Sequence, residues 1–261
     1  MKVSIYQVDA FTSEVFAGNP AAVCLLDGWI EDQVLQAIAA ENNLSETAFL
    51  VRSPQGFDLR WFTPVTEVAL CGHATLASAY VLFECRAWSE KAVTFQTRQS
   101  GLLSVAKNGR LLEMDFPARP PMDEIHPGEL ADMLGATPAK VLRSPEDLLV
   151  IFESEQSVRE LNPNLTALAG LDWRGVIVTA PGNGVDFVSR FFAPAVGIPE
   201  DPVTGSAHCA LVPYWAKRLG KDDLHALQVS KRGGELYCRY QGERVGIAGQ
   251  AALYLEGTIS I

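Results

Sequence analysis

The chain has 261 residues, 48% of them hydrophobic, and a formal net charge of −10. That length suits two domains of about 120 to 130 residues better than one. An acidic chain repels phosphate backbones and anionic lipids, so neither nucleic acid nor a membrane is expected as a partner, and no apolar stretch approaches the ~20 residues that would span a bilayer.

The first half of the chain mixes strand and helix patterns. The N-terminus alternates like a strand and lacks the apolar core of a signal peptide. Periodicity and turn residues predict, in chain order, strands over 3–9 and 21–26, a helix over 30–41, strands over 48–51 and 57–63, a helix from Gly72 to about Phe83, and a meander of strands over 91–97, 101–106 and 110–116.

A proline-rich segment, Pro117-Ala118-Arg119-Pro120-Pro121, is the best linker candidate. We therefore predict domains over 1–117 and 118–261, with the last strand able to cross back to the first domain. The second half is predicted to hold a helix over 127–134, strands within 140–152, a helix over 156–169, and strands over 176–178 and 185–192. A helix from Gly205 to about Leu219 and two or three closing strands over 226–261 follow. A kink or short break is expected at Pro213, inside that helix. Hairpins outnumber β-α-β units, which favours an α+β fold.

One pattern occurs twice. Arg60-Trp61-Phe62-Thr63-Pro64 precedes Cys71-Gly72-His73-Ala74, and Arg190-Phe191-Phe192-Ala193-Pro194 precedes Thr204-Gly205-Ser206-Ala207. The duplication predicts two halves related by a pseudo-twofold axis, whose equivalent loops face one cleft and place His73 and Ser206 at matched positions. In a loose alignment of the halves, Glu46 falls opposite about Gly175.

Several residues near these loops could carry acid–base chemistry. Glu46 has apolar neighbours, so its carboxylate would be partly desolvated and suited to take and return a proton; the alternative is a surface glutamate. His73 could be its partner or a simple helix cap. Asp201 could orient His73 or a substrate amine, or it could form a turn before Pro202. The helix starts at Gly72 and Gly205 could bind an anion.

Metal and cofactor sites are not expected. The four histidines lie far apart, and no Cys-x-x-Cys, phosphate loop or dinucleotide fingerprint is present. The five cysteines are scattered and odd in number, which fits reduced thiols in the cytoplasm better than a disulfide framework.

Five ordered motifs resemble those of the PhzF family of phenazine-biosynthesis-like isomerases, and the resemblance covers nearly the whole chain. They are Val8-Asp9-Ala10-Phe11-Thr12, Gly18-Asn19-Pro20-Ala21, Asn43-Leu44-Ser45-Glu46-Thr47-Ala48-Phe49, Cys71-Gly72-His73-Ala74 and Asp201-Pro202-Val203-Thr204-Gly205-Ser206-Ala207.

The resemblance implies a diaminopimelate epimerase-like fold, in which two similar α+β domains each wrap a barrel-like sheet around a central helix. It also implies a cofactor-independent proton shift on a small carboxylate-bearing metabolite, in a homodimer. Glu46 is then the acid/base, and His73, Asp201 and Ser206 support binding and proton transfer. Substrate contacts are assigned to Asn19, Gly72, Ala74, Thr204 and Gly205.

Related racemases use two cysteines, one at each helix start, as opposed acid and base. Here the first position is Cys71 and the second is Thr204, whose hydroxyl is a far poorer base than a thiolate. We therefore expect a one-base isomerase. Two alternatives stay open: an amino-acid racemase or epimerase that works through Cys71, and a metabolite-binding protein without catalysis.

Overall fold

A computed structural model describes residues 1–261. The chain divides into two compact units, Met1–Asp115 together with Ala248–Ile261, and Phe116–Ile247. The C-terminal segment belongs to the first unit because its strand pairs with the N-terminal strand from Lys2↔Ser260 to Ala10↔Ala251. None of the helices combines the length and the apolar character that a membrane crossing requires.

The element order matches the α+β prediction. The strands are β1 (Lys2–Ala10), β2 (Asn19–Leu26), β3 (Glu46–Ser53), β4 (Gly56–Phe62), β5 (Glu67–Val68), β6 (Ala92–Thr97), β7 (Leu102–Asn108), β8 (Leu111–Pro117), β9 (Lys140–Arg143), β10 (Asp147–Ile151), β11 (Gly175–Pro181), β12 (Phe187–Ala193), β13 (Ile198–Asp201), β14 (Asp223–Gln228), β15 (Gly234–Tyr240), β16 (Arg244–Gly249) and β17 (Ala251–Ser260). The α-helices are α1 (Asp32–Asn42), α2 (Gly72–Tyr80), α3 (Leu130–Leu134), α4 (Glu155–Glu160), α5 (Leu165–Leu168) and α6 (Gly205–Leu219).

The first unit wraps one mixed sheet around α2. Its strands follow the order β17-β1-β2-β3-β4-β6-β7-β8, with β2/β3 and β4/β6 parallel and the other pairs antiparallel. Every residue of α2 from His73 to Ala79 is buried, so the helix is enclosed on all sides, as its apolar sequence requires. On the other face of the sheet, α1 buries Leu35, Ile38 and Ala39 in a second apolar cluster.

The second unit repeats this strand order. Its strands run β9-β10-β11-β12-β14-β15, with β10/β11 and β12/β14 parallel, and its long helix α6 packs on β14 and β15. In the first unit Thr47 pairs with Phe62, and in the second Val176 pairs with Phe192. Because Phe62 and Phe192 hold the same place in the duplicated motif, Glu46 and Gly175 are equivalent residues, one at the start of each strand.

Three predicted helices differ in detail. The helix expected over 156–169 is two short helices, α4 and α5, because Pro163 lies between them and cannot continue a helix. The helix expected over 127–134 begins only at Leu130. The helix that opens at Gly72 leaves α-geometry after Tyr80 and ends in a π-helical turn, Val81–Cys85.

The break expected at Pro213 does not occur, since α6 is continuous through it. Proline has no N–H, so the carbonyl of Cys209, one turn earlier, loses its helical donor. That carbonyl instead accepts a hydrogen bond from the backbone N–H of Arg119 at 2.8 Å. The proline-rich segment is therefore attached to α6 at the point where the proline leaves an acceptor open.

Candidate active site

Glu46 is a buried carboxylate at the edge of the first unit's core. It is the first residue of β3, which pairs with β2 on one side and β4 on the other, and it is 9% exposed. Its Oε2 lies 3.0 Å from Nε2 of His73. No other group donates a hydrogen bond to this oxygen. A buried carboxylate whose neighbour is an imidazole is a candidate acid/base pair.

His73 is the second residue of α2, and its ring is fixed by an amide. Its Nδ1 lies 3.2 Å from Nδ2 of Asn19, and Oδ1 of Asn19 accepts a hydrogen bond from the Ser45 hydroxyl at 3.3 Å. The amide can donate to a bare Nδ1 in one orientation and accept from a protonated Nδ1 in the other. Asn19 can therefore hold the ring in both protonation states.

Cys71 lies beside the same imidazole but is a poor base. Its Sγ lies 3.5 Å from Nδ1 and 4.0 Å from Nε2 of His73. Burial raises the pKa of this thiol to about 11, and the charge of Glu46 adds to the effect. The sulfur therefore carries its proton at neutral pH, which leaves it a weak base and a weak nucleophile.

The ionisation of His73 is governed by its neighbours. Burial acts to lower its pKa, but the negative charges that Cys71 and Glu46 can carry outweigh burial and raise the pKa well above the usual value. Because the thiol is protonated at neutral pH, the Glu46 carboxylate is the charge that favours the imidazolium there. The two side chains then form a buried ion pair.

The same three side chains could hold a metal ion. One donor atom each from Glu46, Cys71 and His73 lie within 4.8 Å of one another. Thiolate, imidazole and carboxylate are all ligands of zinc. The spacing of histidines in the sequence gave no indication of this cluster, because its members come from β3 and from the start of α2.

In the second unit, Asp201 and Thr204 form a rigid loop before α6. The Thr204 hydroxyl donates to Oδ2 of Asp201 at 2.5 Å. Gln228 completes the loop, since its Oε1 accepts the Thr204 N–H at 2.8 Å and its Nε2 donates to the Asp201 carbonyl at 2.8 Å. Thr204 is the residue equivalent to Cys71. Its hydroxyl hydrogen is already donated to Asp201.

Ser206, the counterpart of His73, contacts a residue that the sequence analysis missed. Nη2 of Arg174 donates to the Ser206 hydroxyl at 3.3 Å. The same guanidinium binds the buried carboxylate of Asp147 through Nε at 2.9 Å and Nη2 at 2.5 Å. Arg174 precedes Gly175 as Ser45 precedes Glu46, so only the register of the two halves could have pointed to it.

The space that Glu46 fills in the first unit is closed in the second. A Cβ added to Gly175 would lie 2.5 Å from Cζ and 2.7 Å from Cε2 of Phe191. The Phe191 ring therefore occupies the place of a side chain at this position, and it also lies under the Arg174 guanidinium, 5.5 Å from its centre. No acid or base can stand there without moving this ring.

The remaining predicted site residues hold the positions expected of them. Gly72 begins α2 and Ala74 lies in its first turn, while Gly205 begins α6. The structure thus assembles Glu46, His73 and Asn19 in one unit. In the other it joins Asp201 to Thr204 and Ser206 to Arg174.

Comparison with known proteins supports the motif resemblance. The family model described as phenazine biosynthesis-like protein (PhzC-PhzF) matches residues 8–257. An uncharacterized isomerase of Pseudomonas aeruginosa is 55% identical over the full length of both chains. A crystal structure of a PhzF-family protein from Enterococcus faecalis shares 47% identity and a TM-score of 0.96, with both chains fully covered.

More distant structures show the fold alone. A hydroxyproline epimerase from Agrobacterium vitis, solved with bound trans-4-hydroxy-L-proline, is 11% identical with a TM-score of 0.63, and the match covers 99% of this chain and 92% of that one. Together with the repeated strand order, this confirms the predicted epimerase-like α+β fold.

Proposed function

The chain belongs to the PhzC-PhzF family of phenazine biosynthesis-like proteins and is an isomerase, and from that premise we propose a one-base proton shift on a small carboxylate-bearing metabolite. Glu46 takes a proton from a carbon of the substrate and returns it to another carbon. The electron pair of the broken C–H bond is delocalised into the substrate's conjugated system until the proton returns.

The observation that carries the proposal is the state of Oε2 in Glu46. This oxygen is buried, faces Nε2 of His73 at 3.0 Å and accepts no hydrogen bond from any other group, so it can take a proton without breaking a second contact. The neighbouring imidazole lies 3.0 Å away, and the charge of Glu46 helps to raise the pKa of His73 above its usual value, so the two groups can exchange a proton with each other and with a substrate. We propose that His73 positions the Glu46 carboxylate through this contact. Asn19 would keep the imidazole ring in place as its charge changes.

A single base fits the residues better than two. The thiol of Cys71 is protonated at neutral pH, and its counterpart Thr204 is a hydroxyl bonded to Asp201. The counterpart of Glu46 is Gly175, where the Phe191 ring leaves no room. At these positions only the first unit thus offers an acid/base. We propose substrate-binding roles for the first turn of α2, and for Asp201, Ser206 and the first turn of α6, with the helix starts suited to an anionic group.

The proposed step needs no cofactor or metal, because the carboxylate both accepts and donates the proton. We propose the cytoplasm as the location, because all five cysteines are free thiols. We propose a homodimer as the assembly, because the family resemblance implies one. Light scattering after size-exclusion chromatography measures the second of these directly.

A racemase that works through Cys71 is the second candidate, and the fold it shares with a hydroxyproline epimerase is what favours it. The raised pKa of the thiol opposes it. A binding protein without catalysis would have no need for a basic carboxylate beside an imidazole, so we place it third.

A screen in deuterated water tests the proposal and does not require that the substrate be identified first. Wild-type protein and the Glu46→Gln variant are incubated with the same bacterial metabolite extract, and mass spectrometry follows deuterium incorporation. The proposal predicts at least one carboxylate-bearing metabolite that gains deuterium or changes isomer with wild-type protein only. Incorporation that Cys71→Ser abolishes and Glu46→Gln retains would favour the racemase, and binding without any exchange would favour the third candidate.

A further inference from the structure

We infer that the outer edge of the Arg174 guanidinium, together with the Ser206 hydroxyl, is a carboxylate-binding site. The inference rests on the proposed function, since it names the group that receives the anionic part of the substrate. It assigns this role to a side chain outside all the motifs of the family resemblance.

Arg174 is held as a rigid donor. Asp147 is 3% exposed and engages Nε and Nη2 in a two-point contact, and the Phe191 ring supports the guanidinium from one face. A guanidinium fixed in this way loses little freedom when it binds a further anion.

The second edge of the guanidinium is the one that remains available. A guanidinium presents two edges that match a carboxylate, one formed by Nε with one terminal nitrogen and one formed by the two terminal nitrogens. Asp147 takes the first. On the second edge Nη2 reaches the Ser206 hydroxyl at 3.3 Å and Nη1 lies 3.4 Å from Glu146; the charge of Asp201 also raises the pKa of the guanidinium. The Arg174 side chain is 32% exposed, and the two contacts on this edge are longer than the two that Asp147 makes.

Glu146 is a weak occupant of that edge. Its side chain is 45% exposed, and its other oxygen binds Arg119 at 2.7 Å. A substrate carboxylate could displace Oε2 of Glu146 from Nη1 while Glu146 keeps its contact with Arg119. Glu146 therefore occupies the site in the absence of a ligand and competes with one when it is present.

The repeat strengthens the assignment. At the same register positions the first unit has Ser45 and Glu46, whereas the second has Arg174 and Gly175. Serine in the first unit is thus replaced by arginine in the second, next to the position where glutamate is replaced by glycine. The second unit therefore has a fixed positive charge beside the position at which the first has its carboxylate.

Benzoate and its neutral analogue benzamide are suitable probes, because they differ in charge and hardly in size. Binding is followed in ¹⁵N-labelled protein by the Nε–H resonance of Arg174, assigned from its loss in Arg174→Lys, and by the backbone amide of Ser206. Wild-type protein should bind benzoate about tenfold or more tightly than benzamide, as expected for a charge-assisted two-point contact. Arg174→Gln should abolish this preference.

Two glutamate variants make the test specific. Glu146→Gln keeps the Arg174–Asp147 pair and removes the competitor, so it should tighten benzoate binding several-fold. Glu124→Gln is the matched control: it removes an exposed glutamate of the same unit that binds Lys140, and it should leave the affinity unchanged. Opposite effects of Arg174→Gln and Glu146→Gln are not expected if Arg174 only supports the fold.

The inference is overturned if wild-type protein shows no preference for benzoate, including no binding of either probe. It is also overturned if Glu146→Gln and Glu124→Gln behave alike. Should Arg174→Gln fail to fold, the two glutamate variants decide. Because turnover is not measured, failure here is distinct from failure of the proposed proton shift, which Glu46→Gln tests.

Discussion

Glu46 and Gly175 occupy the same register position in the two units, and only one of them can carry chemistry. Thr47 pairs with Phe62 as Val176 pairs with Phe192. The difference between the two positions lies in the neighbouring strand, where the Phe191 ring fills the space beside Gly175. The second unit therefore has an apolar ring where the first has its acid/base.

Replacement of Gly175 by alanine should destabilise the protein. The new Cβ would meet the Phe191 ring at 2.5 Å, and overpacking of this kind costs about 1 to 3 kcal/mol. Urea denaturation measures the loss, with Gly28→Ala as the control because a Cβ there meets nothing within 4 Å. Combined with Phe191→Leu, the alanine should cost less than alone, since the ring that it strikes is gone. Strict additivity of the two changes would contradict this explanation.

The arginine of the first motif copy should be a major source of stability. Arg60 is 2% exposed and binds Glu67 through two contacts of 2.7 Å and Asp32 at 2.8 Å. We expect Arg60→Met to lower the free energy of unfolding by about 2 kcal/mol or more, because it removes the buried partner of Glu67 and leaves only the exposed Arg98, 3.4 Å away. Arg239→Met, which removes an exposed ion pair with Asp223, should cost less than about 1 kcal/mol. Equal losses would show that burial of the Arg60 pair is unimportant.

Stability should fall on mild acidification because of His208. This side chain is fully buried, its Nδ1 lies 2.8 Å from the Thr204 carbonyl, and its Nε2 has no partner. Burial lowers its pKa to about 4, against about 6.5 in the unfolded chain. The unfolded chain therefore binds a proton first, and stability present above pH 6.5 is lost as the pH falls toward 4, by up to about 3 kcal/mol.

His208→Gln isolates that contribution. Urea denaturation of this variant between pH 7 and pH 4.5 should show a shallower loss of stability than wild-type protein shows. Parallel pH profiles for the two proteins would exclude His208 as the cause.

Removal of metal ions should leave proton exchange unchanged. Glu46, Cys71 and His73 could ligate a metal, but the proposed step passes the proton between a carboxylate and the substrate without a Lewis acid. Dialysis against EDTA, followed by the deuterium assay, should give the same rate before and after treatment. A loss of rate that zinc restores would assign the cluster to a metal and contradict the one-base scheme.

The parts of the structure that occur in both halves could be predicted from the sequence. One duplicated motif predicts the helix starts at Gly72 and Gly205 and the strands that lead to them. It also predicts that Glu46 aligns with Gly175. The sequence could not predict the role of Arg174, because a single arginine between a tryptophan and a glycine forms no recognisable motif. The contacts of Arg174 depend on Asp147 and Ser206, which lie 27 and 32 residues away in the chain.

The effect of a proline on a helix depends on contacts that the local sequence does not show. Proline gives opposite results at two positions: Pro163 lies between α4 and α5, whereas Pro213 lies within a continuous α6. The difference at Pro213 is that the Arg119 N–H donates a hydrogen bond to the Cys209 carbonyl, which the proline leaves without a helical donor. A distant backbone donor cannot be inferred from the local sequence, so the sequence does not predict that α6 continues without a break through Pro213.

The most direct test of the account is the rate of deuterium exchange, on the substrate that the screen identifies, in Glu46→Gln compared with Cys71→Ser. Circular dichroism and thermal unfolding first confirm that both variants fold as the wild-type protein does. The account predicts that Glu46→Gln loses about 10²- to 10⁴-fold in rate, the usual contribution of a general base, while Cys71→Ser stays close to wild type. A Glu46→Gln variant that exchanges at nearly the wild-type rate would contradict the central claim.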